Sequence, residues 1–71
     1  MSKYQALWEY IQTINAEKIS LSYSEIEGLL GFPIDHSFLR YKKELTEYGW
    51  NVKKISMKEQ TVLFERRLDH A

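Results

Sequence analysis

The tripeptide Gly31-Phe32-Pro33 constrains this chain more than any other stretch, because it stops a helix inside a segment, Ser22 to Trp50, that is otherwise helical in pattern. Glycine supplies the left-handed residue that closes a helix, Phe32 can fold back on the last turn, and proline cannot continue the hydrogen-bond ladder. Two helices joined by a sharp turn therefore form the centre of the chain. The first has a start that can be taken in two registers, since Ser22-x-x-Glu25 and Ser24-x-x-Glu27 both fit the capping box. The Ser22 register is preferred, because it gathers Tyr23, Ile26, Leu29 and Leu30 on one face and keeps Glu25 and Glu27 near the positive end of the helix dipole. Gly28 lies within this helix, where glycine costs about 1 kcal/mol relative to alanine and marks either close packing or tolerated weakness. The second helix is capped by Asp35 or Ser37 and carries Phe38, Tyr41, Leu45 and Tyr48 at i, i+3, i+7 and i+10, with Gly49 as its stop.

Elements on either side complete the pattern. Tyr4, Leu7, Trp8, Ile11 and Ile14 make an apolar stripe at helical spacing, which predicts an amphipathic helix from Lys3 to about Asn15 with Tyr10 at the stripe's edge. Ile19-Ser20-Leu21-Ser22 alternates with period two and predicts a short strand whose partners must come from the C-terminal hairpin. That hairpin is expected to place Ile55, Met57, Val62 and Phe64 inward around a turn at Lys58-Glu59-Gln60, with fraying after Arg67. Val52 is out of phase with Ile55, and either a bulge or a later strand start restores the alternation. The order α-β-α-α-β-β is that of a small α+β, winged helix-turn-helix-like domain. With 71 residues, 44% of them hydrophobic and 14% aromatic, the chain has material for one domain and one ring-rich core, expected to be ordered over about 3–67 and to depend on Trp8, Ile26, Leu30, Leu45 and Phe64.

Charge narrows the function classes. Ten basic and ten acidic residues cancel, yet residues 1–37 carry two basic against five acidic groups, a balance of −3, while residues 38–71 carry eight against five, a balance of +3. The positive half covers the second central helix and the hairpin, the elements that a winged helix turns toward DNA. Candidate nucleic-acid contacts are Ser37, Arg40 and Lys43 for the groove and Lys53, Lys54, Lys58 and Arg66 for phosphates. Against this, Glu44 and Glu47 follow Arg40 and Lys43 by four residues, so an α-helix would mix both signs on that face.

Catalytic and metal-binding patterns are lacking. There is no cysteine, and His36 and His70 are the only histidines, with neither an H-x₃-H nor an HExxH spacing. Asp35-His36-Ser37 holds the letters of a triad, but neighbours at a helix start do not converge on one point, and capping explains them. No enzyme activity, cofactor, metal or small-molecule substrate is expected. The missing cysteines fit a cytoplasmic protein, and no apolar run reaches the length of a secretion signal or membrane span.

The segments LSYSEIEGLLGFPIDHSF and YGWNVKKISMKEQTVLFERR resemble a family of small uncharacterised bacterial proteins. In that family a Leu-Thr-Phe-x-Glu-Ile-Glu-x-x-Leu-Gly-x-Pro-Leu pattern precedes a serine-led helix and a Gly-Trp-x-Val hairpin. The matching positions are Leu21, Glu25, Ile26, Leu30, Gly31, Pro33, Ser37, Gly49, Trp50 and Val52, within residues 4–67. Many members resembling it carry an Arg-x-Trp-Trp segment and a longer insertion after the serine, where this chain has Tyr41-Lys42-Lys43-Glu44-Leu45. The resemblance implies the fold and a bacterial origin, and transfers no activity. Two expectations follow from the chain as a whole: a winged-helix protein that binds duplex DNA, or a protein-interaction module or homodimer. A net basic patch favours the first and a contiguous apolar patch the second.

Overall fold

The computed structural model describes residues 3–67; the expected fraying after Arg67 lies outside them, as does His70. The chain runs α1 (Gln5–Gln12), β1 (Lys18–Ser22), α2 (Tyr23–Leu30), α3 (Ser37–Tyr41), a 3₁₀ helix (Lys42–Tyr48), β2 (Trp50–Ser56) and β3 (Thr61–Arg66). This is an α+β domain in the order α-β-α-α-β-β, with one antiparallel sheet of strand order β1-β3-β2.

α1 is shorter than its apolar stripe. The Tyr4 carbonyl accepts the Leu7 and Trp8 amides at 3.0 and 3.1 Å, but no side chain caps this end. At the other end the Thr13 hydroxyl donates to the Tyr10 carbonyl at 2.6 Å, a local bond that competes with continued helix. α2 follows the preferred register. Ser22 Oγ accepts the Glu25 amide at 3.0 Å and Glu25 Oε1 accepts the Ser22 amide at 2.9 Å, which is the complete capping box. Gly31 ends the helix at φ +84°, its amide donating to the Glu27 carbonyl at 2.7 Å. At Gly28 the backbone is helical and an added Cβ meets nothing within 4 Å, so this glycine is not there for close packing.

The expected single helix from Ser37 to Gly49 is instead a five-residue α-helix followed by a seven-residue 3₁₀ helix. Two bonds favour the tighter winding: the Thr46 hydroxyl donates to the Lys43 carbonyl at 2.7 Å, and the Trp8 indole N–H donates to Glu44 Oε1 at 3.1 Å. At three residues per turn, partners four apart no longer stack, and Glu44 reaches the Trp8 indole of α1.

In the sheet, Ile19 and Leu21 of β1 lie opposite Phe64 and Val62 of β3, and Val52 and Ile55 of β2 lie opposite the same two residues from the other side. The register shifts between Val52 and Lys54, and this bulge returns Ile55 to the inner face. The placement of Met57 corrects the expected pattern. Ser56 and Thr61 form the last pair, so Met57 begins the Met57–Gln60 turn and is 83% exposed. That turn closes with Gln60 in the left-handed region at φ 55°, and the Glu59 amide donates to Ser56 Oγ at 3.2 Å.

One cluster joins both layers: Tyr4, Leu7, Trp8 and Ile11, then Ile26, Phe38 and Leu45, against Leu21, Trp50, Val62 and Phe64. Leu30, expected in the core, is half-buried and packs at its edge. Each fully buried large apolar side chain stabilises by about 1.5–3 kcal/mol relative to exposure, so the rings carry much of the margin.

Candidate interaction surface

The start of α3 is anchored before any functional question arises. Asp35 Oδ1 accepts the Ser37 amide at 2.9 Å and the Ser37 hydroxyl as well, which makes Asp35 the capping side chain. The Tyr4 hydroxyl lies 3.0 Å from the same carboxylate oxygen and 2.7 Å from Ser37 Oγ, while Lys3 Nζ donates to Asp35 Oδ2 at 3.1 Å. Ser37's hydroxyl, then Lys3, Ser37's amide and Tyr4 together hold the Asp35 carboxyl well below the usual carboxylate range. Burial pushes the Tyr4 phenol upward, and Asp35 adds to the rise. The network fixes α3 to α1. It also occupies the Ser37 hydroxyl and amide, leaving that side chain committed to the fold.

The other expected contact residues fall in four places. Arg40 and Lys43 are exposed in the helical layer. Lys54 lies opposite Leu63, which itself lies opposite Ser20, and this set stands on the sheet face away from the core. Lys53 shares that face through its 3.6 Å ion pair with Glu65, a carboxylate that also faces Lys18 at 3.7 Å. Lys58 is exposed in the hairpin turn. Arg66 points the other way: its guanidinium donates to the Ile14 carbonyl at 2.8 Å and lies 5.5 Å from the Trp50 ring centroid, tying β3 to the end of α1. The seven residues thus form no single basic patch.

Between α3 and the hairpin the surface is apolar. A groove of about 420 Å³ is lined by Tyr23, Ile34, Asp35, His36, Phe38, Leu39, Ile55 and Met57. Leu39 on one wall is 52% exposed and Met57 on the other 83%, and both are among the few large apolar side chains left in water. Leu39 is absent from the expected contact residues, and its place outside the Phe38, Tyr41, Leu45 stripe is the signal that marks it. Met57 shares the inward phase of Ile55, and it is exposed because β2 ends at Ser56, one residue earlier than the alternation suggests. A second, more polar depression of about 390 Å³ is lined by Ser24, Glu27, Gly28 and Gly31.

Among the described residues no cluster of His, Asp or Glu is arranged to hold a metal ion, and no helix is long and apolar enough to cross a membrane. In comparisons with known proteins, no family model, curated protein or solved structure matches the chain significantly.

Proposed function

We propose that this domain is a protein-interaction module that receives an apolar side chain of its partner in the groove between α3 and the hairpin. The observation that carries this reading is that Leu39 and Met57, both exposed, line one groove together with Phe38 and Ile55. Large apolar groups left in water beside a concave apolar surface are the usual mark of a binding site. Catalysis plays no part in this reading. The test is a methyl NMR titration with a short leucine-rich amphipathic peptide: shifts confined to Leu39, Ile34, Ile55 and Met57 support the groove, and unchanged methyl signals defeat it.

Duplex DNA binding is the second reading, favoured by the strand order β1-β3-β2 beside two helices joined by a glycine-proline turn, the arrangement of a winged helix-turn-helix. Arg40, Lys43, Lys54 and Lys58 make no ion pair among the described residues, so they are the groups available to phosphates. If all four were used, log affinity would fall with log salt at a slope near −3.6, about −0.9 per contact, and Lys54→Ala with Lys58→Ala would flatten it by about 2. A folded protein that shows no duplex binding at low salt removes this reading. The apolar groove lies between the elements that would face DNA, which is why interaction with protein ranks first.

A further inference from the structure

We infer that the occupant of the groove is a second copy of this chain, each copy placing its Met57 in the groove of the other about a two-fold axis. This rests on the groove being an interaction site, as proposed above, and names its partner. Knob and hole belong to one patch: Met57 projects from the turn beside the cavity bounded by Leu39, Phe38 and Ile55. A patch that carries both halves of a contact is self-complementary, and two-fold pairing satisfies both halves at once. Methionine suits the role, because its unbranched thioether adapts to an irregular apolar site.

Charge agrees with this pairing. The turn carries Lys58 and Glu59 immediately after Met57, while the groove rim carries Asp35 and His36. Seating one tip in the opposite groove brings Lys58 toward Asp35, whose side chain stays 51% exposed despite its bond to Lys3. The chain's net charge is zero, so two copies meet without overall repulsion.

Self-association through the sheet edges is less favourable. β2 is an edge strand interrupted by its bulge and bearing the exposed Lys53 and Lys54, two devices that discourage edge pairing. β1 is the other edge. The Tyr23 amide donates to Gln60 and the Arg66 amide to Glu17, which directs the odd-numbered residues of β1 toward β3 and the even-numbered ones outward. Ser22, one of those outward residues, has its amide in the capping box, leaving only Lys18 and Ser20 to offer outward amides.

Sedimentation equilibrium of the whole chain tests the inference. The weight-average mass of the wild type should rise with concentration from 8.5 kDa toward twice that value. Leu39→Glu and Met57→Glu should each stay monomeric where the wild type is half dimeric, with unchanged circular dichroism. Lys58→Glu should weaken the dimer about tenfold, because the reversal enters a symmetric contact twice. A wild type that stays at 8.5 kDa throughout, or a dimer indifferent to both glutamates, overturns self-pairing. The peptide titration separates the two failures. A monomer whose groove methyls shift with the amphipathic peptide loses only the second copy as partner, whereas one whose methyls stay fixed loses the groove reading too.

Discussion

α3 meets its neighbours at two junctions of opposite character. Toward α1 the contact is closed and polar at its rim: Tyr4 is fully buried, and its hydroxyl, Asp35, Ser37 and Lys3 bond to one another. Toward the hairpin the contact is open and apolar, with Leu39 and Met57 in water. The same short helix is thus fixed on one side and left unfinished on the other. A domain with a small margin can spare little apolar surface, so its placement beside the best-anchored helix argues for use rather than neglect.

The first way to break the comparison is to remove the core on which the whole domain rests. Ile26 of α2 is fully buried in that core, and Ile26→Asp should cost several kcal/mol, comparable with the whole stability of so small a domain. Circular dichroism of this variant should show an unfolded chain at 25 °C. A wild-type melting curve would remove Ile26 from the core.

Gly31 sets the angle at which α3 leaves α2, and it does so at φ +84°. Gly31→Val should therefore cost about 1–2 kcal/mol in a denaturant melt even though a Cβ there meets open space, because the strain is in the backbone. Gly28→Ala should do the reverse and stabilise by up to about 1 kcal/mol, its site being helical and open. Equal effects at the two glycines would mean that backbone conformation is not what Gly31 provides.

Tyr4→Phe sharpens the closed junction, since it keeps the ring and deletes only the hydroxyl between Asp35 and Ser37. A loss of about 1 kcal/mol in thermal stability is expected, the usual net value of one hydrogen bond, a little more because the acceptor is charged.

Acid should act on the closed junction through Asp35. Folding holds this carboxyl below its ordinary value, so its stabilising effect is complete above the unfolded value of about 3.9 and fades as pH falls from there toward the lowered folded one. The gap in melting temperature between wild type and Asp35→Asn should accordingly narrow between about pH 6 and about pH 2. A constant gap would assign the effect of the substitution to packing.

At the open junction, Leu39→Ser should change monomer stability by less than about 0.5 kcal/mol, because the side chain is already half in water. A larger loss would mean that Leu39 belongs to the core.

These contrasts also explain what could be seen in the amino-acid pattern alone. The capping box at Ser22, the stop at Gly31 and the inward alternation of Val62 and Phe64 are local rules, and the structure obeys them. The bulge is visible as a phase conflict between Val52 and Ile55, whereas the end of β2 at Ser56, which leaves Met57 in the turn, has no glycine or proline to mark it. The tertiary bonds were illegible. Nothing local in Tyr4 announces a partner 31 residues away at Asp35, nor does Trp8 announce Glu44, and the latter contact accompanies the change of winding after Tyr41. The basic residues were counted correctly but could not be assigned to faces before the register of β2 and β3 was known, and that register distributes them.

The strand order has a consequence for how the molecule comes into being. β3, the last strand among the described residues, occupies the middle of the sheet. During synthesis α1 and α2 can gain local structure early, while β1 waits for a partner more than 40 residues downstream, as in the pairing of Lys18 with Glu65. Until Thr61–Arg66 has emerged, β1 and β2 lack the strand that lies between them, so the sheet forms only after β3 is made.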